Sequence, residues 1–187
     1  MQEWTRCSEL PVNLMVMTMN SPWVKLAAAT FLAFQAAAFS GFNAFAQNAD
    51  DIVGTWALVS SIAEKDGTKT DQFGAGAKGM MSLDAGGHFM LTIIGPDLPK
   101  LASNNRATGT PEENKAVVGH SIAMIGTYSV NPGDKTLTFK VESATFPNWN
   151  GTEQKRSIVT LSQDELKYIT GTASSGGVGT VTWRRAK

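Results

Sequence analysis

The sequence predicts an all-β fold: an antiparallel up-and-down barrel of eight or nine strands with one short helix. Segments in which apolar and polar residues alternate recur along residues 52–185, and clusters of Gly, Asn and Asp separate them. The first segment contains Trp56, and the last one ends with Trp183, Arg184 and Arg185. A closed barrel brings its first and last strands side by side, so an aromatic ring and a guanidinium are expected to meet at its seam.

Each strand is predicted from its alternation and from the turn that follows it. In the first strand, residues 52–63, the two-residue period predicts one face shared by Trp56, Leu58, Ser60 and Ile62. A tight turn at Asp66-Gly67 leads into the second strand. The other strands are predicted at residues 68–72, 78–83, 88–94, 121–130, 135–144, 153–161, 166–170 and 178–185. Alternation is clearest in the sixth strand, whose expected core residues are Leu137, Phe139 and Val141.

One helix is predicted between the fourth and fifth strands. Thr110 suits the cap position, Pro111 suits the first helical residue, and Glu113 completes a capping box. The helix is predicted to end near Gly119 and to plug or flank one mouth of the barrel. Residues 95–109 form the longest predicted loop, and long ordered loops in compact domains are often lids or binding loops.

Residues 1–46 are predicted to be a secretory signal peptide. An apolar run over residues 26–39 follows a lysine, and Ala44-Phe45-Ala46 has the pattern of a cleavage site before Gln47. The run of about 14 residues is shorter than the roughly 20 that a membrane-spanning helix needs. Because residues 1–18 are an unusual extension of such a leader, Met17 or Met19 is expected to be the true start instead of Met1. Cleavage leaves residues 47–187 as one β-barrel domain without a transmembrane segment.

Charge and cysteine content narrow the classes of function. The 16 basic and 16 acidic residues balance, and no basic stripe of the kind expected for nucleic-acid binding is visible. The single cysteine, Cys7, precedes the predicted cleavage site, so the exported domain can form no disulfide. Export without disulfides is typical of a bacterial periplasm, and we expect a periplasmic or secreted protein.

Six short segments occur in an order that is specific as a set: Gly54-Thr55-Trp56-Ala57-Leu58-Val59-Ser60, Gly109-Thr110-Pro111-Glu112-Glu113, Gly126-Thr127-Tyr128-Ser129-Val130, Phe146-Pro147-Asn148-Trp149, Gly151-Thr152 with Gln154 and Arg156, and Trp183-Arg184. Together they resemble the bacterial and fungal lipocalin-like domain family over nearly all of residues 47–187. The resemblance implies a small calycin-type barrel with a cavity. It implies no particular activity, because one fold can host many functions.

Arg156 is the first candidate for ligand binding. Alternation places it on the same face as Gln154 and Ile158, so an inward Ile158 would bring a guanidinium into the barrel. A buried arginine stays charged and must be paired or hydrogen-bonded. Two interpretations are open. Arg156 anchors a carboxylate or enolate of a ligand, or it is structural, with this arginine or one of residues 184–185 covering Trp56 at the closed end.

The loop of residues 146–152 is the second candidate. Trp149 offers a large apolar ring with one N–H donor and Asn148 offers a polar contact, a combination that suits the mouth of a ligand site. The alternative is a corner plug, in which Trp149 fills the barrel end and Asn148 braces the turn. Gln154 and Tyr128 are further candidate ligand contacts.

His120 is the remaining candidate contact. With His88 it makes only two histidines, whereas zinc or iron sites need three or more convergent ligands, so we expect no metal and no other cofactor. No nucleophile motif supports a hydrolytic triad. An enzymatic alternative uses His120 or Tyr128 as a proton donor.

The expected function is binding of a small hydrophobic or amphipathic molecule inside the barrel. Two alternatives stay open: a small-molecule isomerase or cyclase that uses the same pocket, and a structural barrel with a full interior. A cavity of roughly 300 Å³ or more favours the first two over the third. An acid and a base that converge in that cavity would favour the enzyme.

Overall fold

Nine β-strands and one α-helix make up the part of the chain that the computed structural model describes, residues 49–187. The strands are β1 (Gly54–Lys65), β2 (Thr68–Asp71), β3 (Lys78–Leu83), β4 (His88–Ile94), β5 (Ser121–Asn131), β6 (Thr136–Ala144), β7 (Glu153–Leu161), β8 (Glu165–Thr170) and β9 (Val178–Arg185). Helix α1 (Pro111–Gly119) lies between β4 and β5. Two short 3-10 helices occupy Ala49–Ile52 and Pro147–Trp149. The predicted signal peptide lies outside the described residues.

The strands form a closed antiparallel barrel. From β3 to β9 each strand pairs with the next along the chain, and β1 pairs with both β3 and β9. Strand β2 pairs with β1 alone and extends one hairpin beyond the barrel wall, so eight strands enclose the core. The predicted all-β barrel with one short helix is confirmed. So is the alternation of β6, where Leu137, Phe139 and Val141 are buried.

A β-bulge in β1 changes which side chains face the core. The register against β9 shifts between Leu58 and Ser60, and Val59 points outward with 56% of its surface exposed. A bulge adds one residue to one strand, so every later side chain moves to the opposite face. Ser61 is therefore buried. The prediction that Ser60 and Ile62 share the face of Trp56 is wrong for this reason.

One end of the barrel, which we call the closed end, is sealed beneath Trp56. The indole N–H of Trp56 donates to the carbonyl of Ile52 at 2.9 Å, so the 3-10 helix before β1 caps the core. The Arg185 guanidinium lies 4.2 Å from the centre of the Trp56 ring. The predicted contact between aromatic ring and guanidinium at the seam is present, and Arg185 is the arginine that makes it.

Helix α1 lies at the opposite, open end and is held by its N-terminus. The Thr110 hydroxyl accepts the N–H of Glu113 at 3.2 Å, and the Glu113 carboxylate accepts the N–H of Thr110 at 2.8 Å, which confirms the capping box. The same carboxylate accepts the N–H of Ala102 at 2.9 Å. These backbone donors, Ala102 first, lower the pKa of Glu113. No residue of α1 is buried.

We expect the amide hydrogens of α1 to exchange at least about a hundredfold faster than those of central β5, because opening a segment without buried side chains costs little free energy. Strand β5 is hydrogen-bonded to β4 on one side and to β6 on the other. Hydrogen–deuterium exchange read by mass spectrometry checks this. Equal protection of α1 and β5 would contradict it.

Candidate functional site

A narrow pocket lies inside the barrel toward its open end. We call it the lumen pocket, and it is lined by Ser61, Gln72, Phe73, Leu91, Ile93, Ile122, Met124, Trp149, Arg156, Tyr168, Thr170, Ala173, Ser174 and Val181. Its volume is about 40 Å³. At roughly 10–15 Å³ for each water-sized sphere, this is space for about three such spheres. The lumen pocket by itself is therefore far below the size that holds a whole drug-sized ligand.

Arg156 brings a charge into this apolar pocket. It lies on β7 between Leu137 of β6 and Thr170 of β8, and only 4% of its surface is exposed. Its Cζ atom lies 5.6 Å from the centre of the Trp149 ring and 5.9 Å from that of Phe139. These distances allow cation–π attraction to both rings.

The charge of Arg156 has no acidic partner within residues 49–187. The hydrogen bond that its side chain makes there runs from Nη1 to the carbonyl oxygen of Lys155 at 3.0 Å. The ion pairs of this part of the chain, Lys69 with Glu64 and His88 with Asp84, lie on the surface. Burial lowers the pKa of Arg156, because a dry surrounding disfavours the charged form. Since a guanidinium has five N–H donors, most of them are left for another partner.

Further polar groups face the same pocket. Tyr168 lies diagonally across from Arg156 in the β7–β8 pairing, and burial raises the pKa of its phenol while the Arg156 charge opposes that rise. Thr170 is directly opposite Arg156. The hydroxyl of Ser61 is buried and has no hydrogen-bond partner in the described part of the chain. Buried polar groups normally are hydrogen-bonded, so the unpartnered Ser61 hydroxyl points to a polar occupant.

Replacing Ser61 with alanine is expected to raise the free energy of unfolding of the ligand-free protein by about 1 kcal/mol, because a buried hydroxyl without a partner is costly. Urea denaturation followed by circular dichroism measures the change. Ser60→Ala is a matched control, since Ser60 is the neighbouring serine and lies outside the pocket lining. A loss of stability in the Ser61 variant alone would show that this hydroxyl is satisfied.

A second, larger cavity opens between the lumen pocket and helix α1. We call it the vestibule, and it is lined by Gln72, Phe73, Val117, Val118, Gly119, Ser121, Ile122, Thr145, Phe146, Ser174 and Ser175. Its volume is about 410 Å³. Gln72, Phe73, Ile122 and Ser174 line both cavities. The two cavities are therefore adjacent, with the vestibule on the side of the lumen pocket that faces α1.

The family model described as lipocalin-like domain matches residues 53–186. The chain belongs to the lipocalin-like domain family. The match runs from the residue before β1 to the residue after β9, so it spans the closed barrel and α1.

Two further comparisons do not extend this family assignment. Among solved structures, one similar chain is a fluorescence-activating β-barrel made by de novo design. It is 14% identical to this chain, the alignment covers 74% of this chain and 96% of that one, and the TM-score is 0.39. No curated protein matches this sequence.

Two of the six residues that were predicted to contact a ligand lie at the lumen pocket of this lipocalin-like domain. Arg156 and Trp149 line it and face each other there. Trp149 also makes an edge contact with Phe146, with the ring centres 5.4 Å apart, and Phe146 lines the vestibule. The loop of residues 146–152 thus connects the two cavities through one aromatic pair.

The other four predicted contacts line neither cavity of the domain. Asn148 is exposed, and Gln154 donates from its amide to the hydroxyl of Thr152 at 2.8 Å. Tyr128 donates its hydroxyl to the carbonyl of Asp84 at 2.7 Å, on the turn between β3 and β4. His120 is exposed at the end of α1. Their role in ligand binding stays a prediction without a geometric argument in its favour.

The lipocalin-like barrel separates the two proton donors of the enzymatic alternative. His120 immediately precedes β5, and Tyr128 lies seven residues beyond the first residue of that strand, Ser121. At about 3.3 Å per residue, the eight residues from His120 to Tyr128 separate the two backbone positions by about 26 Å. The alternative needs only one of them in the pocket, and neither side chain lines either cavity.

Tyr168 and Ser61 are among the polar pocket residues that the reasoning from sequence missed. Tyr168 shares the inward face of β8 with Leu166 and Thr170, so the two-residue period contained enough signal to find it. Ser61 could not be found in this way, because the bulge at Val59 reverses the faces and leaves no mark in the sequence.

Two observations on the described residues bear on other classes of site. No helix in residues 49–187 is long and apolar enough to cross a membrane. Within the same range, no three His, Asp or Glu side chains converge closely enough to hold a metal ion.

Proposed function

We propose that this lipocalin-like domain binds a small amphipathic molecule whose acidic or carbonyl head group lies on Arg156. The observation that carries the proposal is a guanidinium that is almost fully buried, lines a pocket and has no acidic partner among the described residues. A buried charge without a partner is costly, so proteins seldom keep one that has no role.

An acidic ligand would supply the partner that the domain lacks. A hydrogen bond to a charged group contributes about 1.5–3 kcal/mol net, and the walls of the pocket are mostly aliphatic and aromatic. The unpartnered hydroxyl of Ser61 offers a further contact. Binding thus satisfies polar groups that the free barrel leaves open.

The two alternative functions gain less support. The isomerase or cyclase needs an acid and a base together, and its predicted donors line neither cavity. A purely structural barrel has no need for a buried guanidinium with a single backbone bond. The vestibule beside the lumen pocket also favours an exchangeable ligand over a sealed core.

We further propose that the domain acts in the periplasm or outside the cell. The leader pattern before Gln47 and the lack of cysteine in residues 47–187 support this proposal. Detecting the protein in a periplasmic extract, with Gln47 as its first residue by mass spectrometry, tests it.

Fluorescence of Trp149 tests the binding proposal directly. Titration of the purified protein with decanoate is expected to change tryptophan emission, because Trp149 lies 5.6 Å from the Arg156 charge. Trp56 and Trp183 are fully buried and line neither cavity, so they report little on the site. The Trp149→Phe variant is the matched control and should lose the response.

Native mass spectrometry of protein purified without denaturation provides a second measurement. A co-purified acidic or carbonyl compound supports the proposal. The proposal would be refuted if the protein carries no ligand and its Trp149 emission does not change when decanoate or a hydrophobic dye is added.

A further inference from the structure

The two cavities differ in size and in character. The lumen pocket around Arg156 holds about 40 Å³, whereas the vestibule holds about 410 Å³. Only the vestibule falls within the roughly 300–1,000 Å³ that ligand pockets occupy. A carboxylate has three heavy atoms and fits the space for about three water-sized spheres beside Arg156. Any larger part of the same molecule must lie elsewhere.

The vestibule is the place that the geometry offers for that part. It shares four lining residues with the lumen pocket, and Phe73 and Ile122 among them are both buried. A chain that starts at Arg156 and enters the vestibule would therefore contact these two apolar side chains. The shared polar residues, Gln72 and Ser174, lie at the same junction.

Helix α1 covers the vestibule with unpartnered apolar groups. Val117 and Val118 line it, and 73% of the surface of Val118 is exposed. No side chain of α1 is buried against the barrel, so the helix leaves its apolar contacts unused in the free protein. Phe146 forms the wall on the side of Trp149.

We infer that the ligand is an extended monocarboxylic acid, whose carboxylate binds Arg156 in the lumen pocket and whose apolar tail lies in the vestibule against α1. This inference rests on the proposed function and adds the ligand class and the second subsite. A head of one carboxylate matches the volume at Arg156. The small volume beside Arg156 favours an unbranched chain next to the carboxylate over a fused ring system.

A series of straight-chain carboxylates from butyrate to dodecanoate tests the inference. Each methylene that enters the vestibule is expected to strengthen binding about fourfold, from roughly 0.8 kcal/mol for each buried methylene. If only the carboxylate contributed to binding, the affinity would instead be the same along the whole series. Decanol is the neutral control and is expected to bind at least about tenfold more weakly than decanoate, because it lacks the charge that pairs with Arg156.

The Val118→Glu variant locates the tail. It places a negative charge in the vestibule while keeping a good helix former at an exposed position, so the fold is preserved. Val159→Glu is the matched control, since Val159 is 50% exposed on β7 and lines neither cavity. We expect the affinity for decanoate to fall at least about tenfold in the Val118 variant, the affinity for butyrate to stay unchanged, and the Val159 variant to match the parent protein.

The outcomes separate the inference from the proposed function. If decanoate binding depends on Arg156 but Val118→Glu behaves like Val159→Glu, the tail does not lie in the vestibule and the inference fails alone. Binding that reaches its full strength at butyrate has the same meaning. If no carboxylate of the series binds, both the proposed function and the inference are overturned. A tail-length gain that Val118→Glu removes supports both.

Discussion

Replacing Arg156 with methionine is expected to weaken the binding of decanoate about a hundredfold, near 3 kcal/mol, because truncating one partner of a buried charge pair costs 2–5 kcal/mol. Methionine fills a similar volume and keeps the pocket apolar, so the loss reports on charge. Isothermal titration calorimetry at neutral pH measures it. Decanol binding should change little, since an alcohol makes no charge pair with the guanidinium.

The free energy of unfolding of the same variant is expected to be about 1 kcal/mol higher than that of the parent protein. The substitution stabilises the ligand-free protein because it removes a buried charge without a partner. Urea denaturation of the ligand-free protein checks this. Arginine is charged in the folded and the unfolded chain at neutral pH, so the increase in the free energy of unfolding should be the same from pH 6 to pH 8. A marked loss of stability together with unchanged decanoate binding would give Arg156 a structural role against Trp149 and Phe139, instead of the predicted one over Trp56, which Arg185 fills.

Replacing Arg185 with methionine is expected to lower the free energy of unfolding by about 3 kcal/mol and to leave decanoate binding unchanged. This guanidinium donates to the carbonyl of Val53 at 2.7 Å and to that of Asp51 at 2.6 Å. Its Nε also donates to the carbonyl of Gln163, and its plane covers Trp56. The substitution removes the hydrogen bonds that hold the 3-10 helix over the core, and it exposes the aromatic ring beneath the guanidinium.

Arg184→Met provides the control for the Arg185 substitution. The side chain of Arg184 is exposed and makes no hydrogen bond or ring contact with the described residues, so its replacement should change the free energy of unfolding by less than about 0.5 kcal/mol. Chemical denaturation of both variants gives the comparison. Equal stability of the two variants would show that the closed end does not depend on its guanidinium.

Arg156 and Arg185 illustrate how one type of side chain can serve two purposes in one barrel. Arg185 donates hydrogen bonds to three backbone carbonyls of its own chain, whereas Arg156 donates to one carbonyl among the described residues. Both lie over aromatic rings. The number of donors left open, rather than ring contact, distinguishes the candidate binding residue from the structural one.

The sequence by itself determined the elements that depend on neighbours along the chain. Alternation in β6 located its buried face, and the residues from Thr110 to Glu113 located the start of α1. Turn residues bounded the β3–β4 hairpin, and Trp56 with the terminal arginines indicated a closed seam. Each of these features is encoded within a few consecutive residues, so a local pattern suffices.

Only the tertiary structure decided the inside of the barrel. The bulge at Val59 turns Ser61 into the lumen pocket that Arg156 also lines, and it arises in the pairing of β1 with a strand more than a hundred residues away. The division into a small charged pocket and a large apolar vestibule depends on how side chains from many strands fill a shared volume. Strand register and cavity volume both depend on contacts between segments that lie far apart in the sequence. No single stretch of sequence therefore determines them.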